Sequence, residues 1–290
     1  MKYKVLSGLI VLVLSYQSTF SQESVQDRSE VLNNLLKSIP SPLEMSSLIK
    51  NSGIKFDGSM LNPSKNAAKY QDKYFRALNL GIFSTDLGYV NIYKNQDTLA
   101  PAYLQSIITL SNGLNINNLI NFTTITQYAL SNNLNGLLSE TTVSFEKINQ
   151  ELINKQEPEL SILMLTGGWL ETLYLTCQVA KAHPNEVLDS RIAEQKIVLD
   201  KILPLLNSYK KGNQMNELYL ELNSLNEVFK KIKIKQKNKA DQNFTIEKWG
   251  DLEVVVYQGN EDDKSSIKYK SEDIENILTT SSAIRDKIVK

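Results

Sequence analysis

Six positions in one apolar stretch constrain this chain more than anything else in it. Tyr74, Leu78, Gly81, Thr85, Gly88 and Ile92 step by four, three, four, three and four residues. Such a spacing is the seam of a helix that packs along its length on another helix. The middle of the seam is made of small residues, and a glycine costs about 1 kcal/mol relative to alanine inside a helix. Close approach of a second backbone is the simplest compensation, so Gly81 and Gly88 are expected at tight helix crossings. Phe75, Ile82, Phe83 and Tyr89 lie off the seam, which leaves the helix apolar around most of its girth. Helices of that kind sit in the middle of a bundle. Asn62-Pro63 supplies a start signal, and the helix is expected to run from there to about Lys94.

A second stretch has the same character. Pro158 opens an apolar run, 160–182, whose one formal charge before Lys181 is Glu171. A membrane span is the obvious rival reading. A charge in the middle of such a span costs about 2.5–3.5 kcal/mol, and Thr166, Gly167, Gly168, Thr172 and Gln178 dilute the rest. The run is therefore expected as a buried core helix rather than a transmembrane segment, with Gly167 and Gly168 at a close crossing. Gly81-Ile-Phe-Ser-Thr and Gly168-Trp-Leu-Glu-Thr echo each other, as two helix pairs related by a pseudo-twofold would.

Helical periodicity covers most of what remains. Residues 25–38 carry Val31, Leu32, Leu35 and Leu36 on one face. Ser41-Pro42-Leu43-Glu44 forms a capping box for a helix ending at Gly53. Further helices are expected over 101–113, 117–130, 134–153, 185–209, interrupted or kinked at Pro204, and 214–232. Three β-branched and aromatic segments follow, at Phe244-Thr-Ile-Glu-Lys, Leu252-Glu-Val-Val-Val-Tyr and Ser266-Ile-Lys-Tyr-Lys. Turn signals at Trp249-Gly250-Asp251 and from Gly259 separate them, which predicts a hairpin or a three-strand meander. Ser271 then caps a last helix through Ile274, Ile277, Leu278, Ile284 and Ile288.

The first residues direct the chain out of the cytoplasm. Lys2 and Lys4 precede a short apolar run, 5–14, and Thr19-Phe20-Ser21 offers small residues for cleavage before Gln22. That run is shorter than the roughly 20 residues a bilayer span needs, so residues 1–21 are expected as a cleaved signal peptide. The product should lie in the periplasm, with the cell exterior as the alternative. The mature chain is expected as a helical domain, 22–240, followed by the β element and C-terminal helix, 241–290, packed on the same domain.

Balance of charge narrows the partners. The chain has 32 basic and 32 acidic side chains, and nucleic-acid binding needs a surplus of positive charge. Nucleic acid is therefore not expected. The same balance gives no reason to expect attraction to anionic lipid, and the basic run Lys230 to Lys239 reads as a solvated helix end, with a docking strip as the alternative. One cysteine, Cys177, excludes an intramolecular disulfide and reads as a small buried hydrophobe.

Candidate chemistry is sparse. Asp86 and Glu171 are acids in unusually apolar helices, where a carboxylate must be paired, hydrogen-bonded or protonated. One reading makes them an acid/base or ligand-orienting pair with Tyr70 and Tyr74 near. The preferred reading is structural, with partners such as Arg76, Lys69 or a tyrosine hydroxyl. His183, the single histidine, stands at a helix end and has no second ligand for a typical zinc site. No metal and no cofactor are expected. Asn121-Phe-Thr and Asn243-Phe-Thr match the N-glycosylation sequon.

Pro40-Ser-Pro-Leu-Glu, Leu61-Asn-Pro, the run from Ala77 to Tyr89 and Gly167-Gly-Trp-Leu-Glu-Thr-Leu-Tyr together resemble a family of secreted helical proteins of Bacteroidota. The resemblance implies location and fold class and carries no activity. Within that phylum, Asp97-Thr98-Leu99 resembles a short O-glycosylation motif. The helical C-terminus does not resemble the β-rich sorting domain of surface-exported proteins, which favours the periplasm.

The fold expected from these features is all-α. It is a multi-helix bundle of about eight to ten helices, with a small antiparallel β hairpin or meander before the C-terminal helix. In function the chain is expected as a non-catalytic exported protein that binds an envelope partner or supports the envelope. The alternative is a small-ligand binder or enzyme using Asp86 and Glu171 in a pocket between the long helices.

Overall fold

The structure is a computed structural model and describes residues 54–93, 99–210, 212–234, 244–249, 252–257 and 267–290. The expected signal peptide, the helices before Gly53 with the Ser41 capping box, Asp97-Thr98, Lys235 to Lys239 and Asn243 lie outside the described residues.

Eight α-helices stand among the described residues: α1 (Lys73–Ile92), α2 (Ala100–Gly113), α3 (Phe122–Leu130), α4 (Leu134–Asn154), α5 (Pro158–Ala182), α6 (Glu186–Ser208), α7 (Asn213–Phe229) and α8 (Ser271–Val289). The bundle is built around α5, which packs against α1, α4, α6 and α8, while α7 bridges α6 and α8. Leu163, Leu170, Leu173 and Cys177 of α5 meet Leu78, Ile82, Phe83 and Ile92 of α1 in one continuous core with Ile202, Leu222 and Ile277. By length and composition α5 could cross a bilayer, yet 89% of its most apolar window is buried by its neighbours.

The α1–α5 contact is the closest in the fold, and two glycines make it possible. A Cβ on Gly81 would stand 2.0 Å from the Met164 carbonyl oxygen and 2.6 Å from the Gly168 nitrogen. A Cβ on Gly167 would stand 2.0 Å from the Leu78 carbonyl oxygen. These are collisions with backbone, which no rotamer change relieves. Gly168 has ordinary contacts only, and a Cβ on Gly88 would meet nothing within 4 Å. The close approach is therefore made at Gly81 and does not extend to Gly88. Nor do hydrogen bonds repeat the sequence echo: Thr85 Oγ1 donates across to the Gly168 carbonyl (3.2 Å), whereas Thr172 Oγ1 donates to the same carbonyl within its own helix (2.8 Å).

The long helix starts later than Asn62-Pro63 suggested. Residues Ser64–Lys69 form a 3-10 turn, the chain breaks at Tyr70, and Asp72 then caps α1 by accepting from the Phe75 N–H (2.8 Å). The buried polar work done by Asn62, described below, explains why its side chain is not free to cap. Pro204 does not end α6. Its ring removes one bond to the carbonyl of Asp200, an exposed residue in the last turns that water can reach. At α8, Lys270 is the capping position, and Asp273 reaches back to accept from its backbone N–H (2.8 Å).

The β element is a hairpin rather than a meander. Strands β2 (Phe244–Trp249) and β3 (Leu252–Tyr257) pair antiparallel, and β4 (Ile267–Lys268) pairs with β1 (Lys233–Ile234) instead of adding to β3. Both ladders are centred on the same point, between positions 250 and 251, so they keep one register. A meander would have needed the chain after β3 to turn back along β3. It instead returns to the end of α7, where Ile234 and Ile267 find apolar cover.

Candidate functional site

The crossing of α1, α5 and α8 buries a polar cluster whose acids come from the two long helices. Asp86 lies five residues beyond Gly81 on α1, Glu171 four beyond Gly167 on α5, and both are fully buried. The close glycine contact brings the two helices together here, near enough for the Glu171 charge to act on Asp86. Such a pair cannot remain doubly ionised out of water without compensation.

Compensation comes from α8. Arg285 is 5% exposed and donates from Nε to Glu171 Oε2 (2.5 Å) and from a terminal nitrogen to Oε1 (2.7 Å). This two-pronged geometry is the strongest that a guanidinium and a carboxylate can form. The same terminal nitrogen donates to the Met60 carbonyl (3.1 Å), and the guanidinium carbon lies 4.1 Å from the centre of the Tyr174 ring. Burial alone would lower the Arg285 pKa, but the Glu171 carboxylate outweighs it and the net shift is upward.

One positive charge faces two acids, and Asp86 is the one whose carboxyl is biased toward its protonated form. Burial first, and the Glu171 charge second, push the Asp86 carboxyl well above its ordinary 3.8. Oδ2 accepts from the Asn62 backbone N–H (3.2 Å), while Oδ1 has no donor to accept from. Glu171 is thus paired with Arg285, and Asp86 stands beside that ion pair with its carboxyl pushed upward.

Asparagine side chains extend the network to the segment before α1. Asn62 Nδ2 donates to Tyr70 Oη and to Asn79 Oδ1, both at 3.1 Å, and Asn66 Nδ2 donates to Asn62 Oδ1 (2.8 Å). Tyr70 Oη donates to the Val289 carbonyl (3.0 Å), and Asn79 Nδ2 donates to the Ile288 carbonyl (3.2 Å). The last carbonyls of a helix lack intrahelical donors, so Tyr70 and Asn79 finish the end of α8. Burial raises the Tyr70 pKa, which suits a neutral hydroxyl in this role.

The sequence-derived candidates thus divide. Asp86, Glu171 and Tyr70 come together; Tyr74 does not, its half-buried ring standing edge-on to Phe75 with centres 5.1 Å apart. Arg76 and Lys69 are not the partners of the acids, because Arg76 is held by the carbonyls of Tyr70 (2.9 Å) and Gly113 (2.9 Å). The cation is Arg285, 114 residues from Glu171 along the chain. One signal could have found it. Ile274, Ile277, Leu278, Ser281 and Ile284 mark a helical stripe, and Arg285 falls on it, seven residues after Leu278.

Chemically the cluster can hold a charge pair and a carboxyl biased toward its protonated form. Two clefts of about 330 Å³ each reach its edges at Met60 and Tyr70: one beside Ile54, Phe56, Met60 and His183, the other beside Lys69, Tyr70, Gln71 and Lys287. Neither is lined by Asp86 or Glu171. Among the described residues, no three His, Cys, Asp or Glu side chains gather as a metal site would require. Cys177 is buried, and burial raises its thiol well out of the reactive range. No family model, curated protein or solved structure matches the chain.

Proposed function

We propose that this chain is a non-catalytic exported protein of the cell envelope, most simply periplasmic, that works by binding a partner or supporting the envelope. The observation that supports this most is the use made of the buried acids. Both oxygens of Glu171 are taken by Arg285, and Asp86 accepts from the Asn62 backbone N–H. These groups fasten α8 and the 60–70 segment to the central helix pair. The rival, a substrate or ligand held between Asp86 and Glu171, needs an enclosed polar pocket where the guanidinium of Arg285 stands. The signal-like first 21 residues and the burial of α5 by its own neighbours also favour a free exported chain over a membrane-spanning one.

Fractionation of the native cell followed by affinity capture of the mature chain from its own envelope tests the proposal, with mass spectrometry for proteins and small molecules. A chain recovered in the periplasm with a reproducible envelope partner supports it. A cytoplasmic chain overturns it, as does a small molecule enclosed beside Asp86 and Glu171.

A further inference from the structure

The base of the β hairpin carries a charge arrangement that the fold does not require. Along β1 and β4 the side chains alternate between two faces. Ile232 is buried, and Ile234, Ile267 and Tyr269 pack against the core. Lys231, Lys233, Lys268 and Lys270 are exposed on the opposite side. Lys233 and Lys268 are direct cross-strand partners, a placement of like charges that destabilises a sheet. Lys231, in the turn that ends α7, and Lys270, just before α8, are exposed beside this pair.

None of these four has a carboxylate partner among the described residues. By contrast Lys73, Lys155, Lys230 and Lys287 each meet a glutamate. The nearest offsetting acid in sequence is Glu272, which leaves a local surplus of positive charge.

We propose that this face docks the chain on an anionic lipid surface, deepening the envelope reading above and resting on it for where that lipid is met. Lysines two residues apart on a strand are about 6.8 Å apart, and cross-strand partners about 5 Å. The result is a flat grid of ammonium groups with no concave pocket among them. A grid of that kind matches a plane of phosphate headgroups, attracted through the surface potential rather than by shaped contacts. Arginine would be expected where a single phosphate is gripped in a fixed geometry, and aromatic platforms where nucleic acid is bound. The face has neither. The sequence repeats the spacing beyond it, with lysine at 235, 237 and 239.

Sedimentation of the full mature chain with vesicles tests the proposal. Binding is expected to phosphatidylglycerol–phosphatidylcholine vesicles and not to pure phosphatidylcholine. It should fall with added salt and resist inorganic phosphate at matched ionic strength. About 1 kcal/mol per lysine near the surface is about a fivefold change in partitioning. K233Q/K268Q should thus bind about 25-fold more weakly, with its circular dichroism unchanged. Equal binding by that variant, equal binding to neutral vesicles, or no binding at all overturns the proposal. So does self-association of the variant at undiminished binding, which would mean the lysines only protect the ribbon edges. The two readings fail separately. An envelope protein partner without vesicle binding sinks the lipid face alone, and vesicle binding by a chain found in the cytoplasm sinks the envelope role alone.

Discussion

Arg285 holds both carboxylate oxygens of Glu171, at 2.5 and 2.7 Å, and so joins the C-terminal helix to the centre of the bundle. The pair is almost wholly buried, with side-chain exposures of 6% and 0%. Charges in that position depend on each other. Removing one partner leaves the other uncompensated, which costs about 3–5 kcal/mol, whereas replacing both with apolar groups of similar volume is often close to neutral. Arg285→Met and Glu171→Gln are each expected to lower the urea-unfolding free energy by about that amount. The double variant Glu171→Met/Arg285→Met should recover at least half of the loss.

Asp86 offers a test through pH. Its folded pKa lies above the unfolded one because of burial and the Glu171 charge. The folded state therefore binds the proton more tightly. The stability it contributes is complete below about pH 4, near the unfolded pKa, and declines as pH rises toward the folded value. Asn mimics the neutral acid, can donate to Glu171, and does not titrate. Asp86→Asn should lose a little stability at pH 4 and gain steadily on the natural chain toward pH 8, measured by urea unfolding across that range.

Glycine substitutions along the seam should separate sharply. Gly81→Ala and Gly167→Ala drive a methyl into backbone at 2.0 Å and are expected to cost about 3 kcal/mol or more, the upper end for overpacking. Gly168→Ala, with its nearest atoms at 3.5 Å, should be close to neutral. Gly88→Ala meets open space and should stabilise by about 0.5–1 kcal/mol through helix propensity. Thermal unfolding of the four variants decides the ranking.

Cys177 should be silent in the folded chain. It is buried and its thiol is pushed upward by desolvation, so a thiol reagent is expected to modify it only at the rate of unfolding. Rapid labelling in native buffer would show that α5 is exposed in a way the packing does not allow.

Helix positions and the buried character of 158–182 were legible because they rest on local periodicity, which a single chain displays. The α1–α5 crossing was legible through Gly81 and Gly167, since a glycine inside an apolar helix weakens it unless a neighbouring backbone comes close. Gly88 misled because a heptad seam specifies a direction of contact and not how far two axes stay together. Asp86 and Glu171 stood out as acids in apolar surroundings, but their partner did not. Arg285 is drawn to them across more than a hundred residues by the topology alone. Asn62 read as a cap because caps are local, whereas its actual partners Tyr70, Asn79 and Asp86 follow from the three-dimensional crossing. The choice between hairpin and meander was not legible for a similar reason: strand propensity marks which segments extend, and the pairing of β4 with β1 depends on where α7 and α8 bring the chain ends.

Affinity capture with the Asp86→Asn and Glu171→Met/Arg285→Met variants tests most directly whether the buried acids are structural. Both variants are expected to fold, as read by circular dichroism, and to retrieve the same envelope components as the natural chain. A folded variant that loses a protein or small molecule the natural chain retains would contradict the structural role and make the cluster a binding site.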